Sequence, residues 1–255
     1  MKFKAIIFDL FGTLVDNFSK KQHDKVHALM AETLSAPYEA FRQAFGSSFS
    51  DLCIGKFRSI EEIIAVCCAQ IGLSPDDCKI NTAAQYRYDF TMRTLKPKVE
   101  VLITLQNLKN DGYKIGLITN CGPDVPLLWH TSPLSEHIDL PLFSCKEKIQ
   151  KPAIEIYKRA HEQLGLPSNV CVYVGDGSSQ EMTGAKEIGF LPVLKQVDLE
   201  DVYDDARPDI IGWRGLSITE IEELPELLAH QFHPLFLDVT LQIPQTPSSF
   251  QSAKR

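Results

Sequence analysis

The chain has 255 residues, 44% hydrophobic and 23% charged, the composition of an ordinary globular protein long enough for one large domain or one domain carrying an insertion. Asp and Glu outnumber Lys and Arg by 33 to 26, a formal net charge of −7. An acidic chain without a basic cluster excludes nucleic acid and an anionic membrane as main partners, but leaves a small anionic substrate, which one local lysine can hold.

The chain opens MKFKAIIFDLFGTLVD. Its apolar stretch is broken by Asp9 and lacks a small-residue cleavage site, so it reads as a first strand rather than a signal peptide, and no apolar run is long enough to cross a bilayer. Residues 17–95 carry amphipathic helical patterns near 20–34, 37–46, 59–71 and 75–94, with no convincing strand. Ser59 and Glu62 have capping-box spacing and Gly72 a helix stop. Beyond them, apolar runs at 114–119, 138–143, 170–175, 191–194 and 209–211 alternate with helix-length segments such as 153–164, which ends at Gly165. That alternation predicts a parallel sheet with crossover helices. The predicted architecture is an α/β, Rossmann-like core of residues 1–16 and 96–230, a helical unit inserted at 17–95, and a proline-bearing C-terminal extension at 231–255. An insertion after the first strand lies over the ligand crevice of such a sheet. The seven cysteines are odd in number with no CxxC pair, which predicts a reduced, cytoplasmic chain with mostly buried thiols.

The residues with chemical potential sit at strand ends. Asp9 follows FKAIIF, Asp176 follows VCVYVG with Glu181 five positions on, Thr119 ends KIGLIT with Asn120 next, and Lys151 opens the helix expected to begin KPAIEIY, with Pro152 in its first turn. Gly12 permits a tight turn and Thr13 offers a capping hydroxyl. Two strand-end carboxylates and a third nearby suit Mg²⁺, which takes oxygen ligands.

Taken in order, FDLFGT at 8–13, LITN at 117–120, Lys151-Pro152 and VGDGSSQE at 174–181 resemble the four motifs of the haloacid dehalogenase superfamily, over residues 3–230, with 17–95 similar to that family's helical cap. The resemblance implies that Asp9 is a nucleophile forming a covalent aspartyl intermediate, that Thr119 hydrogen-bonds the transferring group, and that Lys151 neutralises charge on nucleophile and substrate. It implies Mg²⁺ held by Asp9, the carbonyl of Phe11 and Asp176, with Glu181 bound directly or through water, and Thr13 and Asn120 beside the substrate.

The pattern departs from the family's phosphatases at Phe11, where they carry a second Asp that acts as general acid and base, help worth ~10²–10⁴-fold. The preferred reading is still an Mg²⁺-dependent phosphatase acting on a small phosphorylated metabolite, with Asp16 as one substitute acid or with leaving groups that need no proton. A metal-free 2-haloacid dehalogenase is the alternative; it needs an arginine at the nucleophile, for which Arg42 and Arg58 are the cap candidates. A C–P hydrolase using an imine on Lys56 and a catalytically impaired binding protein complete the set. His23 and His27, four apart, read as a solvated helix face. Segment 197–208, rich in carboxylates, reads as a solvated loop before a last strand at 209–211. Trp129 and Trp213 read as packing residues, and of Phe41, Phe45, Phe49 and Phe57 one or two are expected to face the substrate.

Overall fold

The computed structural model describes residues 2–17, 19–204 and 207–230; the extension expected at 231–255 lies outside them. The first strand, β1 (Ala5–Phe8), is buried throughout. The helical segment follows, with α1 (Lys20–Leu34), α2 (Tyr38–Ser47), α3 (Phe49–Cys53), α4 (Ile60–Gln70) and α5 (Asp77–Thr94). The chain then alternates: α6 (Val99–Asn110), β2 (Lys114–Thr119), α7 (Asp124–Leu128), β3 (Leu140–Phe143), α8 (Ser144–Glu147), α9 (Ile154–Gln163), β4 (Cys171–Gly175), α10 (Glu181–Glu187), β5 (Leu191–Lys195), β6 (Leu216–Ile218) and α11 (Leu224–His230).

The six strands form one parallel sheet in the order β3-β2-β1-β4-β5-β6. Side chains alternate between its faces. Ile6 and Phe8 of β1 and Val172 and Val174 of β4 join one apolar cluster, with α6 and α11. Ala5 and Ile7 of β1 and Cys171 and Tyr173 of β4 join another, with α9 and α10. Covering both faces is what makes these strands read as unbroken apolar runs. The helices of α1–α5 form a third cluster of their own, around Met30, Phe41, Ile60, Ile63 and Ala84. Its local signals act as expected: Ser59 Oγ accepts the Glu62 N–H at 3.3 Å, although the Glu62 carboxylate reaches back to Arg58 N–H rather than to Ser59.

Two expectations need correction, and one helix has no counterpart in the sequence pattern. Residues 209–211 are a turn, with Ile211 85% exposed, and the last strand is β6. The Asp209 carboxylate instead caps α10, accepting the N–H groups of Met182 and Thr183 at 2.8 and 3.1 Å. Of segment 197–208, expected to be a free loop, the described residues 198–204 are tied down. Val202 bridges to Ser19, Asp201 accepts from Ser19 Oγ at 2.5 Å and Lys21 N–H at 3.1 Å, and Tyr203 bonds Asp24, so the segment straps the start of α1. Helix α6 had no counterpart in the sequence pattern, because Val99, Val101, Ile103 and Thr104 are β-branched and Lys98 provides no side-chain cap. Among the described residues no helix is long and apolar enough to cross a membrane.

Candidate active site

In a doubly wound sheet, ligands bind beyond the carboxyl ends of the strands where the connections change direction. Here that point lies between β1 and β4. Asp9 donates its N–H to Val174 O at 2.8 Å, which sets it beside Asp176 at the end of β4, while Thr119 ends β2 on the other side. A cavity of about 480 Å³ opens above them.

Asp9, Lys151, Asp176 and Glu181 are all buried. Lys151 Nζ donates to Asp9 Oδ1 at 2.5 Å, to Glu181 Oε2 at 2.6 Å and to the Tyr173 hydroxyl at 3.3 Å. Burial opposes the ammonium charge, but Asp9 and Glu181 outweigh it, and the Lys151 pKa ends above its ordinary range. The Asp9 carboxyl is raised, first by burial and further by Asp176, with Lys151 working against both. Burial is also the main cause that lifts Glu181, to about 8. Glu181 Oε1 accepts the Gly177 N–H at 2.9 Å and Oε2 accepts Tyr173 at 2.8 Å, so both its oxygens are engaged.

The other expected residues take distinct positions. Thr119 lines the cavity with a buried hydroxyl lacking a hydrogen-bond partner. Thr13 Oγ1 donates to Asp9 Oδ2 at 3.2 Å, so it orients the carboxylate. Asn120 borders the cavity but engages its amide with Lys151, accepting that residue's N–H at 2.8 Å and donating to its carbonyl at 3.2 Å. Lys151 does not open helix α9, which begins at Ile154; it stands in the turn before it, held by Asn120. Phe11 lines the cavity. Asp16 is exposed and Lys56, on the surface, pairs with Asp51 at 2.7 Å; neither lines the cavity. Arg42, Phe45 and Phe49 do, whereas Arg58 does not. Trp129 packs edge-on against Phe143, and Trp213 donates its ring N–H to Leu216 O at 3.1 Å.

The histidine reading is overturned. His23 and His27 are 8% and 6% exposed and line the cavity. Their rings pack on Phe90 and Phe45. The Arg87 guanidinium donates to His23 Nδ1 at 3.4 Å, which requires that nitrogen to be unprotonated. Burial, reinforced by Arg87, lowers His23 to about 2 and His27 to about 4, so both imidazoles are neutral. Arg87 also donates to Asp124 Oδ2 at 3.0 Å, joining α5 to α7 through a buried ion pair. Sequence reasoning missed Arg87, Tyr173, Tyr203 and Arg207; of these only Tyr173 carried a signal, its place two residues before the end of a strand. Cys121, beside the site in sequence, has its thiol pushed up by burial, as expected of a packing residue.

A model of the haloacid dehalogenase-like hydrolase family matches residues 3–189. The chain belongs to that family. Two similar members differ in chemistry. A glyceraldehyde 3-phosphate phosphatase of Methanopyrus kandleri is 25% identical over 232 residues, 81% of this chain and 91% of that one. An (S)-2-haloacid dehalogenase of Pseudomonas is 26% identical over 232 residues, 89% and 96% of the two chains. The 2-haloacid dehalogenase from Pseudomonas syringae shares the fold, with a TM-score of 0.64 at 21% identity over 90% of this chain and 99% of that one. The protein is thus a hydrolase of this family.

The residues present fit a hard divalent cation. Asp9, Asp176 and Glu181 bring carboxylate oxygens within 4.8 Å of one another; the Glu181 oxygens are taken by Lys151, Tyr173 and Gly177, which leaves Asp9 and Asp176 as the carboxylates to hold a cation directly. The missing Cβ of Gly12 leaves a space bounded by Asn17 Oδ1 and Asp176 Oδ2, each of which a Cβ would meet at 2.1 Å. An all-oxygen donor set of this kind suits Mg²⁺.

Proposed function

We propose that the protein hydrolyses a small phosphorylated metabolite through an aspartyl-phosphate on Asp9, with α1–α5 as the cap that shapes the substrate chamber. The observation that carries this reading is the second buried carboxylate, Asp176, clustered with the nucleophile. The halide-displacement step makes no use of that charge, which opposes ionisation of Asp9, whereas a phosphate-transferring site uses it to recruit a cation; its use as a base toward water in the second step is common to both readings. Mg²⁺ held by Asp9, Asp176 and the Phe11 carbonyl would supply charge neutralisation between the nucleophile and the phosphate. Glu181, with both oxygens engaged, positions Lys151.

In the first step an Asp9 carboxylate oxygen attacks phosphorus and the ester P–O bond breaks. Lys151 neutralises the Asp9 charge, and the free Thr119 hydroxyl is available to donate to a phosphoryl oxygen. Water then hydrolyses the acyl phosphate, releasing phosphate and restoring Asp9. Phe11 supplies no proton to the leaving oxygen, so acyl and aryl phosphates, which leave as stable anions, are the favoured substrates.

One observation favours a second reading, haloacid dehalogenation: Arg42 and Phe11 both face the cavity, a cation for a substrate carboxylate and an apolar wall for a halogen. Phosphate release from p-nitrophenyl phosphate and halide release from 2-chloropropionate, each with and without Mg²⁺, separate the two. The expected result is metal-dependent phosphate release that Asp9→Asn reduces at least ~10³-fold, a loss typical of removing a catalytic nucleophile. Metal-independent halide release with no phosphate release would establish the second reading and end the first.

A further inference from the structure

Asp176 is the carboxylate on which the cation reading rests, and its two oxygens are in different situations. Oδ1 accepts the Ser178 N–H at 3.0 Å. Oδ2 is buried and makes no aligned hydrogen bond, yet the Arg207 guanidinium lies 2.6 Å from it. That guanidinium points its N–H elsewhere: Nη1 donates to the main-chain oxygen of Asp176 at 3.0 Å and Nε to Asp204 O at 2.9 Å. The contact at Oδ2 is therefore attraction of charge without a well-directed hydrogen bond. Arg207 is 6% exposed and lines the cavity. A buried guanidinium requires a counter-charge, and Asp176 provides it.

Arg207 lies three positions beyond the strap formed by residues 198–204 and is joined to it by the Nε bond to Asp204 O. The Ser19 and Lys21 bonds to Asp201 tie this strap to α1, so the cation is carried to Asp176 by a segment anchored on the cap side. The phosphatase reading asks the same Oδ2 to hold a divalent ion. Magnesium takes carboxylate oxygen at roughly 2.0–2.1 Å, and a guanidinium on the same oxygen would then stand within about 5 Å of a doubly charged ion in a low-dielectric site, a strong repulsion.

We propose that Arg207 is an internal counter-cation at Asp176 that competes with the divalent ion, so that the strap carrying Arg207 sets the metal affinity of the site. This rests on the phosphatase reading. In the cation-free protein Arg207 neutralises Asp176; cation binding requires the guanidinium to withdraw from Oδ2. Arg207 is thus a positioning residue whose removal strengthens metal binding, the opposite of what loss of a structural or metal-holding residue would do.

The test is binding of Mn²⁺ alone, without substrate, followed by the electron paramagnetic resonance signal of the free ion, with Mg²⁺ competition. Arg207→Met keeps most of the apolar stem and removes the charge. It is expected to bind Mn²⁺ at least about tenfold tighter than wild type, as relief of a charge–charge repulsion at this range predicts, while Asp176→Asn abolishes binding. The rise in Tm caused by Mn²⁺ should likewise be larger in Arg207→Met. Equal or weaker binding by folded Arg207→Met, with wild type binding normally, overturns the proposal and leaves the cation reading intact. Absence of binding by both proteins overturns the proposal together with that reading. Should Arg207→Met not fold, the double variant Asp201→Ala/Tyr203→Phe, which removes the strap's side-chain bonds to Ser19, Lys21 and Asp24, decides the matter: tighter Mn²⁺ binding supports the proposal, and unchanged or weaker affinity overturns it.

Discussion

Removing Lys151 would leave the buried carboxylates of Asp9 and Glu181 without the ammonium they share at 2.5 and 2.6 Å. Breaking a buried ion pair from one side costs about 3–5 kcal/mol, because the orphaned charge stays desolvated. Lys151→Met is expected to lose up to that much stability in urea unfolding at pH 9 and above, where the carboxylates are driven to ionise, and less at neutral pH, where Glu181, at about 8, can take up a proton instead, together with all turnover. Adding Glu181→Gln should recover part of the stability and none of the activity, because it removes one orphaned charge but restores no cation at Asp9. At this scale the positions of the candidate residues were legible in the sequence. Asp9, Thr119 and Asp176 each sit at or just after a strand end, visible as the point where an apolar run stops, and Lys151 stands in the turn before α9, marked by Pro152. What those residues touch was not readable. Thr13 and Asn120, expected against the substrate, are turned to Asp9 and to the Lys151 main chain, a choice settled by loops that approach from far along the chain.

Helix α10 carries Glu181 but has no capping side chain of its own; Gln180, before it, is left-handed. Its free N–H groups are satisfied from 26 or more residues away, by Asp209 on Met182 and Thr183, and the Thr183 hydroxyl adds a 2.5 Å bond. Asp209→Ala is expected to cost about 1–2 kcal/mol, as loss of an N-cap does, and to lower kcat by loosening the helix that fixes Glu181 and, through it, Lys151. Urea unfolding and steady-state kinetics on the same preparation check both effects. The same segment shows why element assignment fails where it does. Asp209, Ile210 and Ile211 have strand-like composition, but three residues are too few for periodicity to separate a strand from a turn, and Ile211 points to solvent. The longer amphipathic helices α1, α4, α5 and α9 were legible because their apolar spacing repeats over several turns.

Across the whole molecule, the α1–α5 segment meets the sheet domain through the buried Arg87–Asp124 pair, and two buried histidines of α1 are expected to make the protein acid-labile. His23 and His27 stay neutral in the fold, at about 2 and about 4, whereas in the unfolded chain they take up protons below about 6.5. Their stabilising contribution is complete above that value and is lost as pH falls through the window toward 4, where both titrate only in the unfolded state. The loss is about 1.4 kcal/mol per pH unit for each histidine. Unfolding free energies measured in urea at pH 6.5 and 5.0 should therefore fall more in wild type than in His23→Gln/His27→Gln, by up to about 4 kcal/mol. An equal fall in both would show that the imidazoles are solvated.

The sequence alone determined the α/β class, the helical insertion after β1 and the ordered set of strand-end residues that place the chain among haloacid dehalogenase-like hydrolases. These follow from local physics, since periodicity, turn chemistry and the end of an apolar run are properties of neighbours along the chain. Only the tertiary structure decided that His23 and His27 are buried neutral rings, that Arg87 binds Asp124, that residues 198–204 strap α1, and that Arg207 lies against Asp176. Each of these depends on which charges and rings packing brings together across 31 or more residues, or across two elements, and desolvation makes such pairings decisive only once the surrounding core has closed.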